Sequence, residues 1–172
     1  SPFGLPQTET DALGNTMIYA YDAMGSRISL LDANGNTTLY GYDELNRLTL
    51  INYPNPDSDV TFAYDALGRR LSMTDGLGTT TWAYTNFDLP NSITDPFAAQ
   101  VAYDYDELGN RTSLTYPDQS VVNYEYNAVN RLTEVNRDQL PVASYQYDAV
   151  GRLTLEQRAN GVNTAYSYLN NG

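Results

Sequence analysis

Aspartate follows a recurrent tyrosine at Asp22, Asp43, Asp65, Asp106 and Asp148, with Asn127 in the equivalent place. Arginine comes four or five residues later, at Arg27, Arg47, Arg69, Arg70, Arg111, Arg131 and Arg152, which is seven of the nine arginines in the chain. Carboxylates in such numbers could supply general acid–base chemistry, or the carboxylate pair of a glycosidase. An active site, however, occurs once, and this constellation recurs in nearly every copy of one local pattern. Across a four-residue turn, a carboxylate that caps backbone N–H groups can also meet a guanidinium. The expected role is therefore a row of turn ion pairs: Asp22 with Arg27, Asp43 with Arg47, Asp65 with Arg70, Asp106 with Arg111 and Asp148 with Arg152. Each is worth about 0.2–1 kcal/mol if exposed. No residue is assigned to catalysis, and an enzyme is not expected.

Composition removes further chemistries. The 172 residues include no cysteine, histidine or lysine. A cysteine nucleophile, a histidine base, a Cys/His zinc site and a lysine Schiff base all lack their residues. A net charge of −12, with no basic cluster, argues against nucleic acid or an anionic membrane surface as partner. No apolar run approaches the roughly 18 residues of a membrane span. Asp32, Asn34 and Asn36, and likewise Asn55, Asp57 and Asp59, imitate fragments of calcium loops but lack the bidentate glutamate. Asx turns explain both stretches, and no metal or cofactor is expected. The opening "SPFGLPQTET" lacks the regions of a signal peptide, and the chain stops inside a repeat, so it reads as a piece of something longer.

The elements that hold these residues follow from a rhythm. Tyr21, Tyr42, Tyr64, Tyr84, Tyr105, Tyr126, Tyr147 and Tyr168 are spaced by 20 to 22 residues. Two residues before each stands another ring: Tyr19, Tyr40, Phe62, Trp82, Tyr103, Tyr124, Tyr145 and Tyr166. Residues 1–172 are thus one repeat array of about eight copies. Each copy reads strand, turn, strand, turn. In "TLYGYDELNRLTLI", Tyr40 and Tyr42 share a face at a period of two, Asp43 to Asn46 turn, and a strand rich in Leu, Ile and Thr returns. Gly25, Asn46, Gly68, Gly109, Asn130 and Gly151 fill the position that needs positive φ. The fold class is all-β, a meander of antiparallel hairpins with two strands per copy.

Eight copies make about 16 strands, some 75 Å across at about 4.8 Å per strand. Open sheets rarely exceed about ten strands without curling or splitting, so a curled or spiralling, shell-like sheet is expected. The alternative is β-propeller blades, because two copies supply the four strands of one blade. Copies at Tyr21, Tyr64 and Tyr105 place one residue more before the arginine than copies at Tyr42, Tyr126 and Tyr147, the pattern of a bulge in the first set.

The sixteen rings form a ladder that serves either as core or wall packing or as a sugar-binding groove. One copy departs from the rest. "WAYTNFDLPNSI" keeps Trp82, Tyr84 and Ile93 but loses the Asp, the turn glycine and the Arg together, substituting Thr85, Asp88 and Pro90. It reads as a copy with a rebuilt turn, and Trp82 is its candidate ligand or partner contact.

The units "YAYDAMGSRI", "YGYDELNRLT", "FAYDALGRRL", "YDYDELGNRT", "YEYNAVNRLT" and "YQYDAVGRLT" resemble the YD-repeat or Rhs family from about Asp11 to Gly172. That family includes Rhs toxin shells, encapsulating components of insecticidal toxin complexes, wall-associated proteins and teneurins. The resemblance implies a structural wall, extracellular, at the cell surface or exported from a bacterium. Its partners would be neighbouring repeats and either an enclosed C-terminal effector or a cell-surface glycan or protein. A glycan-binding adhesin module is the alternative function. Toxin-type shells end in an Asp-Pro-x-Gly-Leu segment associated with self-cleavage. The one Asp-Pro here, Asp95-Pro96, is followed by Phe97-Ala98-Ala99, so that role does not carry over.

Overall fold

The structure, a computed structural model, describes residues 3–54 and 59–169. Asn55 and Asp57 of the second calcium-loop-like stretch lie outside the described residues. The chain divides into two compact units. The first runs to Trp82 and includes Asp95–Phe97. It holds β1 (Thr8–Thr10), β2 (Thr16–Tyr21), β3 (Arg27–Leu31), β4 (Thr37–Tyr42), β5 (Leu48–Asn52), β6 (Val60–Tyr64), β7 (Arg70–Asp75) and most of β8 (Gly78–Tyr84). The second, Ala83–Thr94 and the residues from Ala98 on, holds β9 (Pro90–Thr94), β10 (Gln100–Tyr105), β11 (Arg111–Thr115) and β12 (Val121–Tyr126). It continues through β13 (Leu132–Arg137), β14 (Leu140–Tyr147), β15 (Leu153–Arg158) and β16 (Asn163–Ala165).

Among the described residues, sixteen strands, the number the repeat count predicts, form one antiparallel sheet in chain order, with β1 and β16 as its open edges. Propeller blades would be separate four-stranded sheets, so the continuous order overturns that alternative. The reason is local: a two-strand copy with turns of only a few residues leads each strand back beside its predecessor.

Within unit one, β4 and β5 show how a copy is built. Tyr40 faces Ile51 and Gly41 faces Leu50, but Tyr42 faces Leu48, so Thr49 is the extra residue of a bulge. The same shift precedes Tyr21 and Tyr64, and, in unit two, Tyr105, Tyr126 and Tyr147. The sequence expectation of a bulge in only three copies is therefore corrected. Tyr21 pairs with Arg27 as Tyr42 pairs with Leu48, six residues on in both cases, so the arginine has changed place without any insertion.

Among the described residues no side chain is fully buried. Rings of the ladder are half-buried on the sheet, and stability comes from cross-strand neighbours rather than an enclosed core.

Candidate functional site

The recurring turn positions everything else. Asp43 N–H donates to the Arg47 carbonyl at 3.0 Å, and Asn46 N–H donates back to the Asp43 carbonyl at 2.9 Å. Asp43 Oδ1 accepts from the N–H groups of Leu45 and Arg47 at 3.0 and 2.9 Å. This closes only if the third residue after the aspartate is left-handed, and Asn46 has φ 60° and Gly68 φ 83°. The turns at Asp22, Asp65, Asp106, Asn127 and Asp148 make the same bonds. Asp32 does likewise, its Oδ1 taking the N–H of Asn34 and Asn36 and its Oδ2 the Asn36 amide, so an Asx turn consumes the carboxylate of the calcium-like stretch.

The arginines separate into two sets. Fourth after the aspartate, the guanidinium turns back on it: Arg47 to Asp43, Arg69 to Asp65 and Arg152 to Asp148, each Nε–Oδ2 at 2.7 Å. Fifth after it, the arginine opens the returning strand, paired with its own copy's second tyrosine, and no longer turns back on the carboxylate. Three expected pairs are corrected accordingly. Asp22 is bonded to the N–H groups of Met24 and Ser26 instead of to Arg27. Asp65 takes Arg69 instead of Arg70, and Asp106 takes the Asn110 amide at 2.8 Å instead of Arg111.

Both sets reach a ring of the following copy. Arg27 lies 4.6 Å over Tyr40, Arg70 lies 5.4 Å over Trp82, and Arg111 lies 4.6 Å over Tyr124. Arg47 stands 4.9 Å over Tyr64, Arg131 5.5 Å over Tyr147 and Arg152 4.5 Å over Tyr168. Arg70 also lies 5.0 Å over Phe62 of its own copy. These distances are within the range of cation–π attraction. Trp82 is therefore covered by an arginine.

The second ring of five pairs ties copies together. Tyr42 Oη donates to the Arg27 carbonyl at 2.9 Å, Tyr64 to Leu48 at 2.8 Å, Tyr126 to Arg111 at 3.0 Å, Tyr147 to Leu132 at 2.8 Å and Tyr168 to Leu153 at 2.8 Å. Tyr21 reaches the Pro6 carbonyl, and Tyr19 the Glu9 carboxylate. Tyr84, Tyr103, Tyr105 and Tyr145 are half-buried, while Tyr166 and Tyr168 lie just beyond β16 and are exposed. Each acceptor carbonyl belongs to the residue opposite the preceding tyrosine, at the bulge, where the strand ladder is interrupted.

Sequence reasoning missed one contact set. In five copies the fourth residue after the aspartate position meets the left-handed residue of the next turn. Ser26 Oγ is 2.6 Å from Asn46 Oδ1, and Asn110 Nδ2 donates to Asn130 Oδ1. Where the fourth residue is Arg47, Leu89 or Arg131, the next turn has glycine, whereas after Arg69 it has Asp88. A Cβ at Gly68 would stand 3.8 Å from the Arg47 guanidinium, one at Gly109 3.7 Å from Leu89, and one at Gly151 would collide with Arg131. Comparing copies with one another, small polar before Asn and large before Gly, would have revealed it.

Electrostatics give the turns a pH dependence. Asp11, Asp32 and Asp106 are held below the usual carboxylate range chiefly by the amides of Asn15, Asn36 and Asn110. Asp43 and Asp148 are lowered chiefly by the backbone N–H of Arg47 and Arg152. For Asp65, burial pushes upward, but the Arg69 side chain and backbone outweigh it. A depressed folded value contributes stability that is present above the unfolded aspartate value of about 3.9 and is lost as pH falls through the folded values. The urea midpoint is expected to be flat from about pH 7 to 5 and to fall below about pH 4, measured at about 0.2 M salt to screen the net charge. A flat profile to about pH 2.5 would show that these bonds contribute nothing.

The copy lacking both Asp and Arg keeps the turn. Thr85 N–H donates to Leu89, Asp88 has φ 64°, and Thr85 Oγ1 accepts the N–H groups of Phe87 and Leu89 at 3.2 and 3.3 Å. The backbone is that of the other copies, so the expectation of a rebuilt turn is corrected; the side chains alone are replaced. A cavity of about 530 Å³ opens beside it within unit two, and Trp82 is not in its wall.

A family model described as Teneurin YD-shell matches residues 11–125, more than half of the chain. The chain belongs to the Teneurin YD-shell family. The RHS Repeat model matches residues 126–162 of the same YD-shell chain. No curated protein sequence matches it. Among solved structures, the TcdB2-TccC3 crystal structure superposes with TM-score 0.75 at 14% identity, over 97% of this chain and 10% of that one. The TcdB2-TccC3-Cdc42 structure gives 0.68 at 20% identity, over 91% and 10%. The Photorhabdus luminescens Tc holotoxin pore with a TccC3 mutation gives 0.66 at 20% identity, over 88% and 9%. At these identities the likeness shows the fold, and the YD-shell chain spans about a tenth of the chains it matches. It is a shell-type structural repeat.

Proposed function

We propose that the chain is a non-enzymatic length of wall, a single array of about eight copies within a longer exported bacterial protein, and that the wall encloses an effector segment of its parent. The observation that carries this reading is the destination of the polar groups. Recurrent carboxylates cap their own turns, guanidinia cover rings of the next copy, and tyrosine hydroxyls bond the preceding copy. Side chains committed this way hold neighbour to neighbour and leave no acid singled out for catalysis. The solved TcdB2-TccC3 structures, whose fold this chain shares, are consistent with it. No observation favours the adhesin alternative.

The test uses the full-length parent. A segment following the array is expected to resist protease at least about tenfold longer inside the parent than as an isolated polypeptide. The purified 172-residue chain is expected to turn over no glycoside, ester or peptide substrate. Equal digestion rates would overturn enclosure, and saturable turnover abolished by one Asp→Asn change would overturn the wall reading.

A further inference from the structure

In six copies a guanidinium lies over a ring of the next copy, and after the copy at Tyr84 the rings Tyr103 and Tyr105 have none among the described residues. Fourth and fifth after Thr85 stand Leu89 and Pro90, where the other copies supply arginine. Tyr105 also makes no hydroxyl tie to the preceding copy among the described residues, unlike Tyr42, Tyr64, Tyr126, Tyr147 and Tyr168.

The space left over is the cavity of about 530 Å³. Its wall combines the rings of Tyr84, Phe87, Tyr103 and Tyr105 with three acidic residues, Asp104, Asp106 and Glu107, and among the described residues no basic residue lines it. Phe87 is 80% exposed. Asp43, Asp65 and Asp148 each have an arginine, whereas the partners of Asp106 are neutral: two backbone N–H groups and the Asn110 amide. Asp104 alternates with Tyr103 and Tyr105 along β10, so its carboxylate, bonded by the Ser113 hydroxyl, lies on the opposite face and the acids beside the rings are Asp106 and Glu107. Aromatic faces with uncompensated carboxylates at the rim attract a flat delocalised cation.

We propose that this cavity binds an arginine side chain presented by a partner polypeptide, which occupies the place that the chain's own arginines occupy in the other copies. The occupant is argued from charge complementarity and from those internal examples, in which the same pair of ring positions takes a guanidinium from a neighbour. The inference stands independently of whether the wall encloses an effector.

The test is titration of the 172-residue chain, with 13C-labelled tyrosine rings, by the blocked tripeptide Gly-Arg-Gly and by the same tripeptide carrying citrulline, its neutral isostere. Saturable shifts confined to Tyr103 and Tyr105, with a Kd on the order of a millimolar, are expected for arginine, and binding at least about tenfold weaker for citrulline. Leu89→Arg should fill the site from within and abolish binding. Glu107→Gln, an exposed change that leaves the turn bonds intact, should weaken binding several-fold whether or not the first variant folds. Equal binding of the two peptides, shifts spread over all tyrosines, or no saturable shift would overturn the proposal. So would a folded Leu89→Arg chain that binds as the unaltered one does.

Discussion

Gly78→Ala is expected to destabilise the chain by about 2–6 kcal/mol, the largest effect of any single methyl group added to this sheet. Gly78 opens β8 opposite Asp75 with φ 127°, a conformation that L side chains rarely adopt, and a Cβ built there stands 2.8 Å from the Pro96 Cβ. Backbone strain and overpacking therefore coincide. Neither can relax cheaply, because the neighbour is a rigid pyrrolidine ring rather than the end of a flexible side chain. Gly35→Ala provides the comparison: φ is 83°, but nothing lies within 4 Å of the added methyl. It should cost about 1 kcal/mol, the strain alone. Urea unfolding of both variants, read as a midpoint change at constant m, separates the contributions. A Gly78→Ala loss no larger than that of Gly35→Ala would show that the Pro96 turn yields freely.

Tyr126→Ala is expected to cost about 2–3 kcal/mol, less than the removal of a fully buried ring because this one is half-buried. Tyr126→Phe should cost about 1 kcal/mol, the net worth of the hydrogen bond to the Arg111 carbonyl. The tie spans two copies, and in a repeat array the interface between neighbours carries much of the stability. Loss should therefore appear as unfolding of adjoining copies together. Hydrogen exchange of β11 and β12 amides measures this directly. If the alanine variant exchanges at the unaltered rate in β11, the ladder is not what couples copies.

Much of this architecture is legible in the chain. The tyrosine period carries the strand count, since each interval of about 21 residues accommodates two short strands and two turns. Gly25, Asn46, Gly68, Gly109, Asn130 and Gly151 announce the left-handed positions through residue type, and all six have positive φ. The motifs also carry the family. Partner choice at the turns was harder to read. Asp65 is followed by two arginines, and only the geometry of the returning strand sends Arg69 to the carboxylate and Arg70 to Phe62 and Trp82. The bulge was legible only in part, because a shift of arginine by one place looks like an insertion when nothing else marks the register.

Sequence alone determined the all-β repeat, the location of its turns and the absence of the residue types that cysteine, histidine or lysine chemistry requires. Those properties reside in local backbone preference and composition, which need no partner across the sheet. Tertiary structure alone decided three others: the single continuous sheet in place of blades, the partners between which successive arginines divide, and the cavity left where Leu89 stands for arginine. Each depends on what the next copy brings opposite a given side chain. That pairing is set by cross-strand register, so a one-residue shift takes a guanidinium off its own turn's carboxylate and from the second ring of the next copy to the first.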